Sequence, residues 1–157
     1  MSTHYRRAVK FEEVDAAGLV FFGWFFSWCH EAMERFFDGV PGGYVGLITG
    51  RRIGFPLVHA EADWRSPLRY GDAVEIETSI THVGTSSVRF RYVFRRAGEE
   101  ARAAEAPGSS RHERDAAEVA TIDLVTVATD LRTVTKTAIP DDCRALCEAH
   151  LAPPGRA

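Results

Sequence analysis

A helix that is apolar on almost every side has to be wrapped by something, and residues 21–37 read as such a helix. Trp24, Phe25, Trp28, Ala32, Arg35 and Phe36 recur at spacings of three and four, with apolar bulk nearly all round. Asp38-Gly39 and Pro41-Gly42-Gly43 end it. The material for wrapping follows in the chain. Residues 57–65 alternate Val58, Ala60, Ala62 and Trp64 with His59, Glu61, Asp63 and Arg65. Residues 73–83 set Val74, Ile76, Thr78 and Ile80 against Glu75, Glu77, Ser79 and Thr81. Residues 88–96 set Val88, Phe90, Tyr92 and Phe94 against Arg89, Arg91 and Arg95. Residues 119–129 form another long strand, 5–11 a first one, and 44–52 a connector. Ile139-Pro140-Asp141 opens a last helix over 138–151. The economical packing is an α+β fold with an antiparallel sheet wrapped around the long helix. An edge strand of that sheet needs covering. This points to a homodimer with one continuous sheet, or a homotetramer of two dimers.

Composition narrows the function. The chain has 157 residues, enough for one core, and reads as a single domain over 1–151. Residues 97–117, rich in Ala, Glu, Arg, Gly and Ser, form a mobile loop insertion, and 152–157 a flexible tail. A net charge of −3 gives no basic field for nucleic acid. No run of apolar residues is long enough to span a membrane, and the N-terminus lacks the apolar core of a signal peptide. Three sparse cysteines, Cys29, Cys143 and Cys147, suit reduced thiols in the cytoplasm. The chain has no G-x-S-x-G elbow, no G-x-G-x-x-G and no P-loop, so no nucleotide cofactor is implied. Cys143, Cys147 and His150 share one helix face, but without a fourth ligand they read as packing and not as a metal site.

The chemistry concentrates at F-E-E-V-D-A-A-G-L-V-F-F-G-W-F, residues 11–25. This is an acidic loop, a small-residue turn and a helix start. Asp15 either caps that helix or lies beside its free backbone N–H groups and positive dipole end. In the second case a carboxylate sits next to oxyanion donors, which is equipment for attacking a carbonyl. Gly18 lets backbone or ligand approach closely. The Glu12-Glu13 pair reads as a solvated turn, or as like charges that raise the pKa of Asp15.

This segment resembles the N-terminal signature of the hotdog-fold thioesterases, the 4-hydroxybenzoyl-CoA thioesterase family. That signature is an Asp, a nearby Gly, a hydrophobic pair and an aromatic-rich helix. Arg65-Ser66-Pro67-Leu68-Arg69-Tyr70-Gly71-Asp72 resembles the family's strand–turn–strand element, and Val83-Gly84-Thr85-Ser86-Ser87 its next turn. The resemblance implies an acyl-CoA thioesterase acting on an aromatic or short to medium acyl group. Asp15 would be general base or nucleophile, the backbone N–H of Phe22 the oxyanion donor, and Gly18 would keep the approach open. Substrate contacts would come from Phe21, Phe22, Trp24, Phe25, Trp28, His30, Phe55 and His59. The CoA phosphates would be met by Arg51, Arg52, Arg69, Arg89 or Arg91. The turn before Phe90 is neutral where relatives carry basic residues, so Ser86 and Ser87 are added to that set. The same fold also serves hydratases, which want a His near the helix start; none lies between Tyr5 and Cys29. Non-catalytic acyl-thioester binding and a polyketide-pathway acyl-carrier-protein thioesterase are the alternatives.

Overall fold

The computed structural model describes residues 1–97 and 118–152; the expected loop insertion and the tail lie almost wholly outside these. Strand β1 (Thr3–Ala8) leads through a short turn of 3-10 helix (Phe11–Glu13) and the Asp15 loop into helix α1 (Gly23–Phe36). One helical turn, α2 (Gly43–Val45), and a wide π-helical turn (Gly46–Arg51) connect α1 to the sheet. Strands β2 (Ile53–Gly54), β3 (Leu57–Trp64), β4 (Ala73–Val83), β5 (Ser87–Ala97) and β6 (Glu118–Val127) follow. The short β7 (Thr129–Asp130) and β8 (Thr135–Lys136) precede helix α3 (Asp141–Ala149). The main sheet has the order β1-β4-β5-β6-β3, with every pair antiparallel. A small sheet, β2-β7-β8, stands beside it.

The alternation read in the strands decides which face meets α1. Val74, Ile76, Thr78 and Ile80 of β4 are buried, as are Val88, Phe90, Tyr92 and Phe94 of β5. Against them α1 buries Phe25, Trp28, Cys29, Ala32, Met33 and Phe36. Ring contacts knit the layers, with Phe25 on Phe94 at 5.2 Å and Phe36 on Phe90 at 5.5 Å between centroids. Burying one Phe or Leu side chain is worth about 1.5–3 kcal/mol, so this row dominates the stability of the wrapped helix. The opposite face is ionic. Arg95 reaches Glu77 at 2.6 Å, Arg91 makes two bonds to Asp123 at 2.9 and 2.7 Å, and Glu75 takes both His4 and Arg6. This fold is the hotdog arrangement expected from the pattern.

Two expectations change. Strand β3 does not bury its apolar face within the chain: Leu57, Val58 and Trp64 are 50, 60 and 44% exposed. It is the last strand of the sheet and pairs with β6 on one edge, while its other edge has no partner among the described residues. A bulge between Leu57 and His59 also breaks the strict alternation. Second, Glu13 is not a solvated turn residue but 2% exposed. Cys143 and Cys147 are buried where α3 packs on the sheet, and His150 rests its ring on Phe36 while its Nδ1 bonds the Leu146 carbonyl at 2.9 Å. Among the described residues no helix is long and apolar enough to cross a membrane.

Candidate active site

Asp15 occupies a tight loop closed by the bridge between Val14 and Val20. Its Oδ1 accepts the amides of Ala17 at 2.8 Å and Leu19 at 3.2 Å. Its Oδ2 accepts nothing among the described residues, and the side chain is exposed. The carboxylate is therefore held by one oxygen and presented by the other. Gly18 donates its amide to the Asp15 carbonyl at 2.9 Å and has φ +75. A Cβ there would meet nothing within 4 Å. The backbone conformation, and not a close approach, is what requires glycine.

The start of α1 supplies donors. Phe21 donates to the Glu13 carbonyl at 3.0 Å and Trp24 to the Phe21 carbonyl at 3.0 Å. Between them, the amides of Phe22 and Gly23 donate to no acceptor among the described residues. Two unpaired N–H groups at the positive end of a 14-residue helix favour developing negative charge. No residue of the Asp15 segment caps α1 with a side chain, so Asp15 is not spent as a helix cap.

One cavity borders this region, and a second lies further along α1. The first, about 350 Å³, lies against Leu19, Val20, Phe22, Phe25, Trp64 and Ser66. The second, also about 350 Å³, is walled by Phe26, Met33, Ile48, Phe55, Leu124 and Leu131, with His30, Tyr44 and Thr126 as its polar groups. Trp64 bridges the two, in edge contact with Phe22 at 6.3 Å and Phe26 at 6.4 Å. Tyr44 accepts the Phe55 amide at 3.4 Å, and burial pushes its hydroxyl above the ordinary range, so it stays a neutral phenol. His30 lies within 3.1 Å of Glu34 and sets its ring edge-on to Tyr44 at 5.8 Å.

The structure thus puts Asp15 and Gly18 on the loop that leads into the Phe22 amide at the start of α1, and brings His30 and Phe55 into one cavity. Phe21 and Phe22 are half exposed beside the loop. Phe25 borders the first cavity from the core, and Trp24 is partly buried against the core. Trp28 is fully enclosed, its indole N–H donating to Glu13 at 3.0 Å. His59 is exposed on β3 and bonds Glu61 at 2.9 Å. Arg69 bridges Leu19 through its backbone, which puts it beside the Asp15 loop. Ser86 and Ser87 lie at the β4–β5 turn, Ser86 accepting the Ala128 amide. Arg89 lies 3.6 Å from Glu61, while Arg51 and Arg91 are committed to two bonds each with Asp142 and Asp123. Arg52 is exposed at φ 59. Sequence reading passed over Tyr44, Ser66 and Thr126. A threonine in a row of inward apolar residues was the available signal for the last.

An antiparallel sheet around one helix, with an acidic loop at the helix start, defines a hotdog-fold protein of the thioesterase type. The chain belongs to the thioesterase-like superfamily, whose family model matches residues 9–146. It is similar to a 1,4-dihydroxy-2-naphthoyl-CoA hydrolase of Prochlorococcus marinus strain MIT 9313, 32% identical over an alignment of 97 residues that covers 57% of this chain. The match spans 64% of that relative's own length, just under two thirds. A gentisyl-coenzyme A thioesterase structure superposes with TM-score 0.73 at 27% identity, covering 90% of this chain and 99% of that one. A 1,4-dihydroxy-2-naphthoyl-CoA thioesterase from Synechocystis shares the fold, with TM-score 0.75 at 23% identity over 94 and 96% of the two chains.

Proposed function

We propose that this protein hydrolyses an aromatic acyl-CoA thioester to the free acid and CoA. One observation carries the reading: a carboxylate with an uncommitted oxygen, Asp15, sits in the loop that leads directly into the unpaired amides of Phe22 and Gly23. The carbonyl oxygen of the thioester docks on the Phe22 amide, where one donor lowers the barrier by about 3–4 kcal/mol. Asp15 either takes a proton from the water that attacks the carbonyl carbon, or attacks that carbon itself to form a mixed anhydride that water then hydrolyses to the free acid. The thiolate of CoA departs. The relatives' aromatic CoA substrates and the aromatic walls of the second cavity support an aryl acyl group.

The acting unit in this reading is a homodimer joined through β3. Antiparallel pairing about the middle of that strand sets Leu57 of one protomer beside the partner's Trp64. Each second cavity, which Leu57 helps to line, then opens toward the other protomer's α1 start. The exposed apolar residues of β3 and its unpaired edge support this. Arg69 and Arg89, with Ser86 and Ser87, are the candidates for the CoA phosphates. We place the protein in the cytoplasm, where its three free thiols suit a reducing compartment.

The test is thiol release from benzoyl- and hydroxybenzoyl-CoA by wild type and Asp15→Asn. Asparagine keeps an oxygen for the Ala17 and Leu19 amides, so the loop should stand. A loss of about a thousandfold in kcat, ~4 kcal/mol, is expected. Retention of activity within tenfold would remove Asp15 from the chemistry.

A further inference from the structure

The second cavity contains a buried hydroxyl that the fold leaves unused. Strand β6 turns Ile122, Leu124 and Thr126 inward, and in that row Thr126 is the polar member. It is 3% exposed, and its Oγ1 is withdrawn from water with no hydrogen-bond partner among the described residues. Nearby Thr129, also buried, shows the ordinary solution by donating to the Val127 carbonyl at 2.9 Å. An unpaired buried hydroxyl opposes folding, and valine would fill the same space without that deficit. The other polar groups of the cavity have partners: Tyr44 accepts the Phe55 amide and keeps its O–H to donate, and His30 pairs through Nε2 with Glu34. Thr126 Oγ1 remains able both to donate and to accept.

We propose that Thr126 is a specificity-determining residue, its hydroxyl pairing with a hydroxyl on the ring of the bound acyl group. This rests on the reading of the cavity as the acyl site. An apolar cavity of about 150 Å³ already admits benzene, so about 350 Å³ takes an aryl ring and its substituent. The walls accept the ring by shape, and Thr126 reads the substituent, because an acyl group without one leaves the hydroxyl unpaired in the complex.

The experiment compares kcat/KM for benzoyl-CoA and for 2-, 3- and 4-hydroxybenzoyl-CoA in wild type, Thr126→Val and Thr126→Ser. Wild type should favour at least one hydroxybenzoyl isomer over benzoyl-CoA by about tenfold, ~1.4 kcal/mol. Thr126→Val should abolish the preference, bringing the ratio between that isomer and benzoyl-CoA to within about twofold of one. Thr126→Ser should keep the preference, which a purely structural role would not predict. A preference that survives Thr126→Val, equal losses on all four esters, or no preference in wild type would overturn the proposal. If wild type hydrolyses none of them, the thioesterase reading fails separately. Equilibrium binding of the same four esters, followed by tryptophan fluorescence, then decides the role of Thr126 by the same ratios.

Discussion

At the scale of single residues, the Asp15 loop is anchored by a neighbour that does no chemistry. Glu13 accepts the Arg7 guanidinium at 2.6 Å, the Trp28 indole N–H at 3.0 Å and the Lys10 amide at 2.7 Å. Its carbonyl takes the Phe21 amide. One buried residue therefore ties β1, the loop and α1 together two positions before Asp15. Arg7 is itself 6% exposed and lies over the Trp28 ring at 4.3 Å. Truncating Glu13 leaves that buried cation only the longer pair with Glu31, at 3.6 Å. Glu13→Ala should lower stability by about 3–5 kcal/mol, measured by urea unfolding, whereas Glu12→Ala, at an exposed position, should stay within about 0.5 kcal/mol. Equal effects from the two would dismiss the anchor. The adjacent glutamates look alike in the sequence, since only the rotation of the short 3-10 turn sends one inward. The indirect sign was Trp28: a buried indole N–H asks for an acceptor.

At the scale of elements, β4 and β5 were legible because one face of each is buried within its own chain, and periodicity records that burial directly; α1 was located but overread as apolar nearly all round, since Ser27, His30, Glu34 and Arg35 leave one side exposed. The connection between β6 and α3 was not, because β7 and β8 are two residues each and too short to carry a period. The cavity was half legible. His30 and Phe55 were read from the family resemblance, while Tyr44 and Thr126 reach it from separate elements that no local pattern joins. Strand β3 is the instructive case, since its alternation is real but its apolar face has no partner inside the chain. A second copy pairing along that edge would account for it. Val58→Asp discriminates. On a free surface it should change stability by less than about 0.5 kcal/mol. At a dimer interface it should yield monomers by light scattering and abolish the dependence of Tm on protein concentration. Monomeric wild type would end the dimer reading.

At the scale of the whole molecule, the sheet separates two kinds of stabilisation that respond differently to pH. The helix side is mainly apolar, apart from the buried Arg7–Glu13 pair. The outer side holds carboxylates whose charged form the fold favours. Burial pushes Glu77 up, but the hydrogen bond and charge of Arg95 more than offset it and hold the group below the usual range. Burial raises Glu75 too, and Arg6 and His4 more than offset it; away from the sheet face, at the start of α3, Asp142 is lowered by the bonds from Arg51. A carboxylate with a depressed folded-state pKa adds stability that is fully present above its unfolded value, about 4. That stability is lost as pH falls through the folded one. Unfolding should therefore become easier below about pH 4, with each partly exposed pair contributing modestly. Arg95→Met isolates one pair. Without the guanidinium, burial favours the protonated form of Glu77 against only the weaker help of Ser2 and His4. The variant should be less stable than wild type at pH 7, and the gap should close as acid protonates Glu77 in both. Urea midpoints at pH 7, 5, 4 and 3 measure this; a gap that stays constant to pH 3 would mean that Arg95 acts by packing its aliphatic stem, not through its charge.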